Sequence, residues 1–348
     1  MPGLVYLLAA FMITAFTVSW AVTPQVIKLK ILDRPNHRKI HRSPVPKAGG
    51  IGIYLGFMAG MTAAHFLRGK LGLETSPQVI GILLAAGLTF SLGLVDDRRE
   101  LPAGVKLLGQ VAAALVLVGS GVAFGSGPAA WMVTVAWVVL VLNAVNLIDG
   151  LDGLAAGIAV IAAVVFLFIG AVEGQALVAV LAVCLIGGTL GFLVYNFHPA
   201  RIFMGDTGSL FLGLVLSSLG ILVARDSGSL EGSMVPVLVL GVPLFDTFLS
   251  ILRRYIHHRP IFAADRSHFY NLLMDQWGFS HRAAVLVNYV LAAVFGMAGM
   301  AYYWGNGVLQ AAIVVLVLAG SVYGVYRFDL LKVDGARVVY SKEEKMSM

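Results

Sequence analysis

Hydrophobic residues come in long blocks along this chain, and polar residues come in short clusters between them. Eleven blocks are apolar enough to read as helices crossing a membrane, at 4–22, 49–66, 78–94, 104–122, 130–147, 154–172, 176–195, 209–223, 235–252, 283–304 and 308–325. About 20 apolar residues make a helix as long as the hydrocarbon core of a bilayer is thick. The expected fold is therefore all-α: a polytopic integral membrane protein of about eleven transmembrane helices, one domain over 1–348 with a tail at 328–348. The first block lacks the Lys or Arg of a signal peptide's leading region and is too long for its apolar core. It reads as a retained span. The fifth and sixth blocks are joined only by the turn at 149–153.

Basic residues orient the chain. With the N-terminus outside, 21 of the 24 Lys and Arg fall on the cytoplasmic side, and only Arg68, Lys70 and Arg225 lie outside. This asymmetry predicts N-out, C-in. The external loops are short and glycine-rich, as at 119–127, and read as turns.

Composition agrees with the pattern. The chain is 59% hydrophobic and 12% charged, whereas a soluble domain is about 25% charged. Mean hydropathy is +0.89 and the isoelectric point is about 9.4. The basic balance reads as cytoplasmic loops facing anionic lipid and anionic substrates, not nucleic acid. Cys184 is the one cysteine and lies inside an apolar block, so no intrachain disulfide forms.

The polar clusters carry the chemistry. Asp96 and Asp97 end a block at its inner edge, where the negative end of the helix dipole makes each acid unfavourable by about 0.3–1 kcal/mol. A divalent cation or a basic partner would offset this. Asn143, Asn146, Asp149 and Asp152 recur every three residues and share one face if the helix persists. Asp152 is also a fitting N-cap for the sixth block. Asn196, His198, Arg201, Phe203, Gly205, Asp206, Thr207 and Gly208 precede the eighth block. Its N-terminus is a ready anion site, with Asp206 and Thr207 as fitting caps. The loop at 253–282 gathers Arg253, Arg254, His257, His258, Arg259, Asp265, Arg266 and His268, a set suited to phosphate. The first loop holds His41 and Lys47 in a rigid run that ends in Gly49 and Gly50. Asp246, inside the ninth block, is an intramembrane acid. Together these describe a cytoplasmic-facing pocket of carboxylates, amides and basic groups. Magnesium is the natural ion for a few carboxylates plus substrate phosphates, and zinc-type Cys and His spacing is absent.

Four motifs then resemble one family in order. They are the first-loop run at 41–50, the aspartate pair at 95–97, the central motif at 143–153 and the Phe203–Ser209 stretch. The chain resembles the polyprenyl-phosphate N-acetylhexosamine-1-phosphate transferases, in the WecA/TagO branch related to MraY. The resemblance implies transfer of a sugar 1-phosphate, GlcNAc-1-phosphate or a relative, from a UDP-sugar to polyprenyl phosphate, with release of UMP. It implies Mg²⁺, with Mn²⁺ as a substitute, a multi-pass place in the plasma membrane with a cytoplasmic active site, and often a homodimer. Asp206 would be the principal metal ligand, aided by Asp149. Asp96, Asp97 and His268 would be catalytic. Asn146, Asp149, Asp152, Asn196, Phe203 and Gly205 would form the nucleotide-sugar site, Phe203 stacking on uracil. Lys47, His41, Arg266 and Arg259 would meet phosphate and lipid. The chain departs from the family after His268, where Phe269, Tyr270 and Asn271 stand in place of a run that commonly holds two histidines.

Two rivals start from the same residues. Asp149, Asp152, Gly153 and Ala156 match the start of a CDP-alcohol phosphotransferase signature, but Gly157 replaces its arginine. An ion-coupled transporter would use Asp149, Asp152 and Asp246 near the midplane. No inverted repeat supports it.

Overall fold

All eleven apolar blocks are helical in the computed structural model, which describes residues 2–29, 31–33, 44–71, 76–226, 230–258 and 268–331. The helices are α1 (Pro2–Ile27), α2 (Gly50–Phe66), the one-turn α3 (Arg68–Leu71), α4 (Pro77–Arg99), α5 (Ala103–Gly119), α6 (Pro128–Ile148), α7 (Leu154–Val172), α8 (Ala176–Asn196), α9 (Gly205–Asp226), α10 (Met234–Val239), α11 (Gly241–Ile256), α12 (Phe269–Asp275), α13 (His281–Trp304) and α14 (Gly307–Arg327). Among the described residues, eight are long and apolar enough to cross a membrane, while α2 and α5 are apolar but shorter. The protein is a polytopic, nearly all-helical membrane protein.

The ninth block is where the pattern misleads. It contains two helices, α10 and α11, that meet at Leu240 (φ −94°, ψ 21°). Pro243 has no N–H to continue the ladder across the junction. Beyond the break, α11 buries Asp246, Ser250, Arg253 and Arg254 alongside Leu249.

At the centre stands α9, buried along its whole apolar length, with α2, α4, α6, α7, α8 and α10 packed around it. An all-round apolar helix belongs in such a place. Lipid is as apolar as leucine, so close backbone approach has to hold helices together in a bilayer. Gly93 supplies it. A Cβ there would overlap the carbonyl oxygen of Asp206, so α4 and α9 touch backbone to backbone beside the aspartate pair. At the periphery α14 buries only Ile313 among its residues, and Val308, Leu316 and Val322 face outward, as lipid-facing positions do.

A small antiparallel pair departs from the all-α expectation: β1 (Leu32–Asp33) and β2 (Val45–Pro46). It anchors the first loop. Phe203 N–H donates to the Pro46 carbonyl (2.8 Å), while Gly49 N–H and Gly50 N–H donate to the carbonyls of Phe203 (2.9 Å) and Met204 (3.0 Å). Two motifs more than 150 residues apart in the chain are thus stitched together just before α9 begins.

Candidate active site

Asp97 organises the site. Its carboxylate accepts from Asp206 N–H (3.1 Å), Thr207 N–H (3.0 Å) and Thr207 Oγ1–H (2.5 Å). Lys47 Nζ lies 3.7 Å from it. The first turn of α9 is therefore capped by a carboxylate from α4. Asp206 does not supply that cap, contrary to the sequence reading. Free N–H groups and the positive end of the dipole stabilise a negative charge there, which answers the cost of an acid at the C-terminus of α4. Gly205 makes room: its φ is +72°, and a Cβ would sit 2.5 Å from Asp97 Oδ2.

Asp96 and Asp206 share one cation. Lys106 Nζ, from the first turns of α5, lies 3.1 Å from each. The other oxygen of Asp96 accepts from Leu101 N–H (2.6 Å). Asn146 donates to Asp206 Oδ1 (3.0 Å) and to Ser209 Oγ (2.9 Å), fixing the second oxygen of Asp206. Sequence reasoning missed Lys106. The available signal was a lone lysine within an otherwise apolar block, which is costly in a membrane and therefore suspect.

Asp149 completes the carboxylate cluster. It caps the end of α6 (φ −78°, ψ 50°). Burial pushes its carboxyl up to about 8, with further upward pressure from Asp206, Asp97 and Asp152. Four carboxylates, Asp96, Asp97, Asp149 and Asp206, thus gather here, with Lys47 beside Asp97 and Lys106 between Asp96 and Asp206. Excess negative charge among hard oxygen donors is the environment a magnesium-type cation fits.

The expected stripe of four residues does not survive as one face. Helix α6 stops at Ile148. Asn143 is bonded to Gln110 of α5 (2.7 Å) and to the Val139 carbonyl (2.7 Å), an interhelical tie. Asp152 does not cap α7, whose N-cap is Gly153 at φ +79°. Its Oδ2 instead accepts from His198 Nδ1 (2.7 Å) and Ala200 N–H (3.1 Å). Asn196 is spent on backbone, accepting from Gly153 N–H (3.0 Å) and donating to the Ile202 carbonyl (2.9 Å). Both residues, expected in the nucleotide-sugar site, tie the turn after α6 to the segment before α9. His198 also stacks on His281 (4.1 Å, 17°). Asp152, His198 and His281 have donor atoms within 4.8 Å of one another, but stacked rings lie in separate parallel planes that a single ion cannot share.

His268 is buried on the other flank. Its Nδ1 lies 2.7 Å from Asp246 Oδ2 and 3.3 Å from Ser250 Oγ. Asp246 Oδ1 accepts from Phe269 N–H (2.8 Å) at the start of α12. Tyr270 lies parallel to His268 (5.5 Å, 2°), and its hydroxyl fills the space where Gly150 would carry a Cβ. The replacement tyrosine therefore closes on the turn that follows Asp149. Phe203 is held through its backbone, with a half-buried side chain. His41, Arg259, Asp265 and Arg266 lie outside the described residues. Asp152 is bonded to His198 and Asp246 to His268, so two of the three acids of the transporter reading are paired with separate histidines.

A bundle of membrane-spanning helices carrying a carboxylate-rich, lysine-bridged cluster at its helix ends defines a membrane-embedded enzyme of charged substrates. The profile of glycosyl transferase family 4 matches residues 79–224, from α4 through α9. The chain is 39% identical to a Bacillus subtilis (strain 168) protein named probable undecaprenyl-phosphate N-acetylglucosaminyl 1-phosphate transferase, over 85% of each chain. It is 34% identical to the decaprenyl-phosphate N-acetylglucosaminephosphotransferase of Mycolicibacterium smegmatis (89% of this chain, 87% of the relative). It is 31% identical to the phospho-N-acetylmuramoyl-pentapeptide-transferase of Desulforudis audaxviator (88% and 99%). The chain belongs to glycosyl transferase family 4, as the four motifs implied.

Proposed function

We propose that this protein transfers N-acetylglucosamine 1-phosphate from UDP-GlcNAc to polyprenyl phosphate, giving polyprenyl-diphosphate-GlcNAc and UMP. The observation that carries the reading is the convergence of four separated motifs on the N-terminus of α9. Lys47, Asp96, Asp97, Asn146, Asp149 and Asp206 meet there although they come from four different parts of the chain. The relatives named for GlcNAc transfer support that sugar.

In the proposed reaction, an oxygen of the lipid phosphate attacks the β-phosphorus of the UDP-sugar. The bond from that phosphorus to the bridging oxygen breaks, and UMP carries the bridging oxygen away. The lipid phosphate is already anionic near neutral pH, so the protein's task is mainly placement and charge. Asp206 and Asp149 would hold Mg²⁺, which supplies charge neutralisation at the diphosphate when bound. In this reading Lys106 and Lys47, held against the aspartates, would offer ammonium groups to phosphate oxygens. Asp97 is engaged by three hydrogen-bond donors and Lys47, and both oxygens of Asp96 are bonded. The pair therefore acts by fixing α9 and Lys106. In this reading Phe203 would offer its ring to the base, and His268 would meet a phosphate.

The same reading includes eleven spans, with α10 and α11 together as the ninth, the N-terminus outside, and the site on the cytoplasmic face of the plasma membrane. The basic residues support that orientation. Exchange of radiolabelled UMP into UDP-GlcNAc, catalysed by purified protein with Mg²⁺ and polyprenyl phosphate, tests the function. Exchange that requires all three supports it. No exchange with any UDP-N-acetylhexosamine refutes it. Phosphorylated Asp97 trapped by rapid quench would replace direct attack with a covalent route.

A further inference from the structure

Asp246 has no role in the reaction as set out above, yet it is 3% exposed and bonded at both oxygens. Its Oδ2 meets His268 Nδ1 at 2.7 Å. An ionised carboxylate offers only acceptors, so the shared hydrogen resides on Nδ1 and Nε2 becomes the one ring nitrogen left for a substrate. Two further contacts hold the ring, and a third holds its stacking partner. Ser250 Oγ lies 3.3 Å from Nδ1, Tyr270 lies parallel to the ring, and the Tyr270 hydroxyl is seated against Gly150. α11, which carries Asp246 and Ser250, packs along α6, whose end holds Asn146 and Asp149. A buried carboxylate on one helix thus sets the tautomer and aim of a histidine whose neighbour Tyr270 closes on the turn after Asp149.

We propose that Asp246 is a positioning residue for the transfer, acting through His268 and touching no substrate itself. This rests on the reading of His268 as a group that meets phosphate. A buried acid behind a functional histidine is worth about 10–100-fold when the histidine is a metal ligand, and more when the histidine moves protons. The alternative is structural: Asp246 Oδ1 also accepts from the first N–H of α12.

Asp246→Asn separates the two. The amide oxygen can keep the bond from Phe269 N–H while the amide NH₂ faces Nδ1. The ring must then accept at Nδ1 and carry its hydrogen at Nε2, so the cap survives and the tautomer reverses. The experiment measures UMP release by the full-length protein in detergent with UDP-GlcNAc, polyprenyl phosphate and Mg²⁺, for the wild type, Asp246→Asn, Asp246→Glu, His268→Asn and the Asp246→Asn/His268→Asn double variant. Asp246→Asn should lower kcat by about 100-fold with KM for UDP-GlcNAc within about threefold. Asp246→Glu, which retains the charge, should recover at least about tenfold of that loss. The double variant should be no slower than His268→Asn alone, within about threefold. If Asp246→Asn yields no folded protein, Asp246→Glu carries the test, lowering kcat when His268 is present and not in a His268→Asn background. The proposal is overturned if His268→Asn is inactive while Asp246→Asn works normally, or if the two losses multiply. Full activity in His268→Asn would instead remove the reading of His268 on which the proposal stands.

Discussion

Gly205→Ala adds one methyl group and removes no chemical function, yet it should damage the site. Two terms set the size. Gly205 sits at φ +72°, a region that costs an alanine about 1–2 kcal/mol. The new Cβ would also lie 2.5–2.8 Å from the Asp97 carboxyl atoms. Asp97 must withdraw, weakening its bonds from Asp206 N–H, Thr207 N–H and Thr207 Oγ1–H. A hydrogen bond to a charged group is worth about 1.5–3 kcal/mol. Loss of one such bond plus the backbone strain gives about 3–5 kcal/mol. The cost falls where α4 meets α9, so the aspartate cluster and Lys47 lose registry together. The assay pairs the thermal unfolding midpoint of detergent-purified protein with UMP release under saturating substrates. A drop of several degrees and a loss of activity of about 100-fold or more are expected. A variant within about one degree and about twofold of the wild type would show that Asp97 does not cap α9 as described.

Three further outcomes follow from the geometry. Lys106→Gln removes the ammonium shared by Asp96 and Asp206 and should cut kcat by about 10²–10³-fold, the usual effect of deleting one preorganised electrostatic group; steady-state kinetics check this. Asp149, pushed up to about 8, carries its proton below that pH, and a cation must displace it. Mg²⁺ affinity should therefore weaken as pH falls from 8 to 6, by up to about tenfold per pH unit, with proton release visible by calorimetry in buffers of different ionisation enthalpy. Tyr289→Phe deletes the hydroxyl that donates to the Gly153 carbonyl at 2.6 Å, which keeps its bond from Gly157 N–H (2.9 Å), and should cost about 0.5–1.5 kcal/mol of stability; thermal unfolding measures it.

The sequence made some of this visible for clear physical reasons. A block of some 20 apolar residues has few fates besides a buried or membrane helix, so all eleven blocks proved helical. Asp206 and Asp97 were visible because uncompensated acids at helix ends need partners. Their partnership was harder to see, because Asp97 caps a helix that begins more than 100 residues later. The bonds of Asp152 and Asn196 to His198 and Gly153 could not be read from the sequence, because those partners are more than 40 residues away in the chain. The three-residue stripe overran the true end of α6 because periodicity cannot register where a helix stops. Lys106 was passed over because a single lysine in an apolar block looks like an anchor until Asp96 and Asp206 are placed beside it.

The most direct test of the central claim is divalent-cation binding at the start of α9, followed by Mn²⁺ electron paramagnetic resonance on purified protein with and without UDP-GlcNAc. One Mn²⁺ per chain is expected, displaced by Mg²⁺, sensed by the nucleotide diphosphate, and lost in Asp206→Asn and Asp149→Asn. Unchanged Mn²⁺ binding in both variants, with transfer activity retained, would contradict it.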